Sequence, residues 1–266
     1  MKIAVVQLPS IGMGSSRLDY YIQAAVSQGV SLVLLPEYTL FPFFKAMQTL
    51  SKSLLQEYAA HQKNMLKELA HRYNITIVSP VILKKGAQFY KAVLRVSAKS
   101  SGYYYQQLLI DYTHWNEQAF FANNKATLLS PMVFSLQGIK FAIMSGFEAH
   151  FDQMWQDVFA KNIDVMLMPS CATFGSIERW KKLVSMRAFT HNCYVVWANR
   201  IGSHEDKQGN RLDNWHFYGH SFVSDAKGES IAALKDEEAL LIADISKEHV
   251  KAERKAWGFK SALSVR

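Results

Sequence analysis

The sequence predicts an α/β fold with mixed sheets. Three observations carry that expectation. Short apolar runs alternate with segments of helical period, several of those runs follow a helix at once, and other runs are joined by short polar turns of the hairpin kind. Residues 3–8 read as the first strand. Leu18, Tyr21, Ile22, Ala25 and Val26 then recur at helical spacing, with Ser15 or Ser16 as N-cap and Gly29 as the stop. Val30 to Leu35 is continuously apolar, as in a strand covered on both faces, and it ends at Pro36-Glu37. A helix is expected over 53–73, followed directly by a strand at 75–78. Residues 88–97 and 103–110 read as two strands joined through Lys99-Ser100-Ser101-Gly102. Val133 to Ser145 holds two more, turning at Gln137-Gly138. Helices over 150–161 and 178–191 lead into strands at 164–168 and 194–198. Residues 216–245 return to a strand pattern, and a last helix starts near Ser246, with that serine as N-cap and Glu248 in the first turn. Ser203 to Asn214 is the clearest linker candidate, yet it is short enough for a loop, so a single domain over 1–266 is expected.

Composition narrows the possibilities. A chain of 266 residues that is 49% hydrophobic can bury one large core. It has no run of roughly 18 apolar residues, which argues against a membrane span. Met1 to Leu8 turns polar too quickly for a signal peptide. The only cysteines, Cys171 and Cys193, lie in apolar strand-like runs; they read as buried thiols in a reducing compartment, and a cytoplasmic protein is expected. The formal charge of +8 is dispersed. Its densest run holds Lys247, Lys251, Arg254, Lys255 and Lys260 at helical spacing, interrupted by Glu248 and Glu253. That pattern is a solvated helix face, and no nucleic-acid partner is expected.

Six segments then align in order with a known family. Leu34-Leu35-Pro36-Glu37 is a buried strand ending in a glutamate. Tyr105 to Phe121 ends in Glu117-Gln118-Ala119-Phe120-Phe121. Ser145-Gly146-Phe147-Glu148-Ala149-His150-Phe151 resembles an Ile-Cys-Tyr-Asp-x-Arg-Phe turn. Asp164 to Ser170, Arg187-Ala188 to Asn199, and Tyr218-Gly219-His220-Ser221 to Gly228 follow in register. Together they resemble the nitrilase superfamily of carbon–nitrogen hydrolases. The resemblance implies an αββα sandwich of two mixed sheets. It implies a homodimer formed through the helices near 150–161 and 178–191. It implies no cofactor.

The family's hydrolysis needs a glutamate base, a lysine, a second glutamate and a cysteine. The base takes the thiol proton, the thiolate attacks an amide or nitrile carbon, and the lysine stabilises the oxyanion. Water activated by the same glutamate then releases the acid. By resemblance Glu37 matches the base and Glu117 the second glutamate. Two positions depart. The Tyr-x-Lys pattern falls on Tyr105-Gln106-Gln107, so Gln107 stands where the lysine is expected. Gly146 stands where the cysteine is expected and has no side chain. Without a cation, Glu37 and Glu117 are expected to share a proton or to hold some other cation. Shifting the register by one would offer Ser145 as nucleophile, but Phe147, Glu148 and Phe151 fit only with Gly146 in place, and strand alternation turns Ser145 to the opposite face.

Other residues have two readings each. Glu148 and His150 replace the turn's aspartate and arginine; they either bind in the pocket or cap the helix that begins there. Glu37, Glu117, Glu148 and His150 have the donor types of a carboxylate-rich metal site, but no compact ligand motif supports one. By the resemblance Cys171 follows a strand end that borders the pocket, and it reads as a relocated nucleophile or a small packed residue. Tyr38, Trp115, Trp180, Trp197 and Trp215 lie near the pocket rim. The expectation is therefore a degenerate member that binds a small ligand or a partner protein. The alternatives are an active amidase working through Cys171 or glutamate-activated water, and a structural subunit beside an active relative.

Overall fold

The computed structural model describes residues 1–123, 127–205 and 211–264. In chain order the first half contains β1 (Lys2–Gln7), α1 (Ser16–Ser27), β2 (Val30–Leu34), α2 (Phe44–Met47), α3 (Lys52–Arg72), β3 (Thr76–Lys85), β4 (Gln88–Val96), β5 (Ser101–Tyr105), β6 (Asp111–Tyr112) and β7 (Trp115–Asn116). The second contains β8 (Met132–Leu136), β9 (Ile139–Ile143), a 3₁₀ turn (Gly146–His150), α4 (Asp152–Ala160), β10 (Val165–Ser170), α5 (Ile177–His191), β11 (Tyr194–Asn199), β12 (Ile201–Glu205), β13 (Arg211–Tyr218), β14 (Phe222–Ser224), β15 (Ser230–Ala233), β16 (Ala239–Asp244), α6 (Lys247–Trp257) and α7 (Phe259–Ser264).

Two six-stranded sheets organise these elements. One runs β16-β1-β2-β3-β4-β5 and the other β15-β14-β11-β10-β9-β8. In the first, β1, β2 and β3 are parallel neighbours, with antiparallel strands at both edges. In the second, β9, β10 and β11 form the parallel centre. The period of two along β1 explains the layering. Ile3 and Val5 join Phe141, Ile143 and Leu167 in the core between the sheets. Ala4 and Val6 face the other way and pack with Leu18, Ile22, Leu66 and Leu69 of α1 and α3. On the far side, Trp155 and Val158 of α4 and Val184 and Ala188 of α5 cover the second sheet. A one-residue slip of β1 would exchange the two faces, so burial fixes the register. The result is the expected αββα sandwich.

The last helix begins as predicted, with Ser246 Oγ accepting from His249 N at 3.2 Å. Its basic face is partly tied down, because Arg254 donates to Asp164 and to Ile163 O, and Lys260, just beyond it, donates to Ala160 O. No described helix is long and apolar enough to cross a membrane. The expected strand over 103–110 stops at Tyr105. Beyond it the Gln107 and Leu108 N–H groups donate to the Glu148 carboxylate instead of to a ladder. Of the linker candidate Ser203–Asn214, residues 206–210 lie outside the described residues, and the flanks belong to the β12–β13 pair.

Candidate active site

The candidate site is assembled at the strand ends of both sheets. Glu37 follows the buried strand β2, and its N–H donates to Ser170 O at 3.1 Å, which joins the first sheet to the end of β10. Glu117 follows β7 and is fully buried. Between the two carboxylates stands a residue that the sequence reading did not pick out, Lys91 of β4. Its Nζ lies 2.9 Å from Glu37 Oε2 and 2.8 Å from Glu117 Oε1. The expected absence of a cation is therefore corrected. The glutamates hold another cation, and it comes from the chain itself. One signal was available: Lys91 sits two residues before the inward-facing Val93, at a position where alternation also turns a side chain inward.

Buried charge governs this cluster. Burial pushes Glu37 up; the Lys91 charge pulls it back, Glu117 pushes it up again, and the Ser145 hydroxyl hydrogen-bonds it and holds it down. Burial alone would lower the Lys91 pKa, but Glu117 and Glu37 outweigh that and raise it. The site thus keeps a permanent ammonium beside a carboxylate more basic than usual. Tyr38 donates its hydroxyl to Glu117 Oε1. Burial, then the charges of Glu117 and Glu37, raise Tyr38 well above the normal phenol range, so it stays a neutral donor.

Ser145 does not point away from the base. Strand β9 ends at Ile143, and Ser145 is the residue before the 3₁₀ turn, with φ −67° and ψ 148°. Alternation cannot be carried past the strand end. Gln107 is turned elsewhere. Its Nε2 donates to Leu129 O at 2.8 Å and to the Tyr104 hydroxyl at 3.1 Å. Glu148 is a buried anchor. Its carboxylate accepts from the Tyr104 hydroxyl and from the N–H groups of Ser145, Gln107 and Leu108. Burial pushes it up to about 7 against those four donors. His150 does line the cavity, with Nδ1 2.9 Å from Phe147 O and its ring 4.9 Å from that of Trp180. Among the described residues no group of three or more His, Cys, Asp or Glu side chains could hold a metal ion.

Gly146 leaves no room for a side chain unless Ser170 moves. A Cβ built there would stand 1.9 Å from Ser170 Oγ, 2.8 Å from Ser170 Cβ and 3.3 Å from Ser170 Cα. Cys171, the next residue, lines the cavity. Burial pushes its thiol well up; Arg200 opposes this and Glu37 adds to it. It is a thiol at neutral pH, poor as a nucleophile. Cys193 is core, and burial pushes it up to about 12. The cavity itself measures about 300 Å³. Glu37, Ser170 and Cys171 line it together with Trp115, Phe147 and Trp180. Of the other aromatics, Tyr38 belongs to the glutamate cluster, Trp197 is core, and Trp215 packs beside Trp115.

The comparisons with known proteins agree with this architecture. A family model described as carbon-nitrogen hydrolase matches residues 2–255. A deaminated glutathione amidase from Synechocystis is 23% identical over 259 residues, covering 92% of this chain and 90% of that protein. A carbon-nitrogen hydrolase from Helicobacter pylori superposes with a TM-score of 0.85 at 19% identity, covering 98% of this chain and 94% of that one. A cysteine-to-alanine mutant of an amidase from Nesterenkonia, in complex with butyramide, superposes with a TM-score of 0.77 at 19% identity, covering 97% and 95%.

Proposed function

Because this chain belongs to the carbon-nitrogen hydrolase family, we propose that it binds a small amide in its cavity and does not hydrolyse it through a cysteine. One observation carries the proposal. The turn that matches the family's cysteine holds Gly146, packed so closely on Ser170 that a side chain there requires Ser170 to move, while Glu37, Lys91 and Glu117 remain assembled beside it. The Glu37 carboxylate lines the cavity and suits the N–H of an amide. Without a thiolate, no acyl-enzyme forms by the usual route. The Nesterenkonia variant supports this reading, since a protein of this fold lacking a cysteine is described with butyramide bound. The test pairs ligand-observed NMR with an ammonia assay. Butyramide is expected to bind saturably and to release no ammonia above buffer. Steady ammonia release would overturn the proposal.

A second reading, amide hydrolysis by another nucleophile or by glutamate-activated water, is favoured by the completeness of the Glu37–Lys91–Glu117 cluster. Cys171 does not serve it well, because burial keeps the thiol protonated. We also infer a homodimer through α4 and α5. Supporting this, α5 leaves Met186 56% exposed.

A further inference from the structure

The Ser170 hydroxyl is an anomaly. Ser170 is 2% exposed, yet its Oγ has no hydrogen-bond partner. A buried polar group left unpaired costs on the order of 1–3 kcal/mol, so its position calls for a partner. It also lies 1.9 Å from where a Cβ at 146 would be. A Cβ on residue 146 and the Ser170 hydroxyl could not both keep these positions. Ser170 lines the cavity beside Glu37, whose backbone N–H is bonded to its carbonyl. Trp115, lining the same cavity, carries a second buried donor without a partner, its indole N–H. The orphan groups can therefore donate to an oxygen acceptor.

We propose that Ser170 is a ligand-binding residue whose hydroxyl donates to the carbonyl oxygen of a bound amide. This rests on the amide reading above and adds the residue that holds the carbonyl. The amide nitrogen then faces the Glu37 carboxylate. No bond to carbon forms, so the ligand leaves unchanged. The arrangement trades stability for binding, because an orphan hydroxyl weakens the empty protein.

The test compares the wild type with Ser170→Ala, using butyramide and thiobutyramide as probes. Thiocarbonyl sulfur is a poor hydrogen-bond acceptor. The wild type should prefer butyramide. Ser170→Ala should bind butyramide roughly threefold to tenfold more weakly, the loss of one net hydrogen bond, and should lose most of the preference over thiobutyramide. Its melting temperature should be no lower than that of the wild type. Equal butyramide affinity and an unchanged amide-to-thioamide ratio in Ser170→Ala would overturn the role of Ser170 and leave the amide reading standing. Butyramide binding to neither protein would overturn both.

Discussion

Restoring a cysteine at position 146 is the most informative perturbation of this site. The new Cβ would stand 1.9 Å from Ser170 Oγ and 2.8 Å from Ser170 Cβ. Rotating the hydroxyl away relieves only the first contact. The second requires the β10 backbone to shift, and β10 is held on both sides by β9 and β11. Overpacking of this kind typically costs 1–3 kcal/mol. At roughly 2–4 °C per kcal/mol for a chain near this size, Gly146→Cys should melt roughly 2–12 °C below the wild type. Ser170→Gly removes both offending atoms and leaves only Ser170 Cα at 3.3 Å. Alone it should cost about 0.5–1 kcal/mol, as glycine does inside a strand. The double variant should be clearly more stable than the sum of the two losses, a favourable coupling of about 1–2 kcal/mol. Thermal unfolding of the four proteins supplies the cycle. Iodoacetamide labelling of the double variant then shows whether the new thiol, facing Glu37 and Lys91, is activated. Additive losses, or a Gly146→Cys protein as stable as the wild type, would refute the claim that Ser170 blocks a side chain at position 146.

Other predictions follow from the same geometry. Lys91→Met leaves two buried carboxylates without their cation and should cost about 3–5 kcal/mol by denaturant unfolding, with the loss growing as pH rises and Glu37 ionises. Burial pushes Glu148 up to about 7 from the ordinary carboxylate value of 4.5. Being raised, it contributes stability that is fully present below about pH 4.5 and is lost as pH rises through about 7, amounting to about 3 kcal/mol. Glu148→Gln should remove that slope, and an unchanged slope would contradict the assignment. Cys171 and Cys193 should resist iodoacetamide near neutral pH and react only on unfolding; fast labelling of native Cys171 would revive it as a nucleophile. Light scattering should give twice the mass of one chain, falling toward one when Met186→Lys places a charge on the α5 surface.

Much of this molecule was legible in the sequence because periodicity records burial. The apolar runs of β1 and β2 and the helical spacing in α1 marked individual elements, whereas the two sheets and their covering helices were implied by the order of the family's motifs. The site was legible where the order of motifs marked it, as at Glu37, Glu117 and Gly146. At Lys91 only its alternation with Val93 hinted at an inward side chain; that it meets Glu37 and Glu117 depends on pairing between strands, which leaves no trace in local spacing. Gln107 misled for the same reason. Its position suggested a missing charge, but its side chain is spent on the backbone of Leu129. Ser145 misled because alternation was extended beyond the end of β9. The displaced hydroxyl of Ser170 could not be foreseen at all, since it depends on how β10 packs against the 3₁₀ turn.

The most direct test of the central claim is a crystal structure of the protein soaked in butyramide. An intact amide is expected in the cavity, its nitrogen toward Glu37 and its oxygen toward Ser170, with Lys91 still bridging the glutamates. An acyl group joined to Ser170, Ser145 or Cys171, or a butyrate in place of the amide, would contradict it.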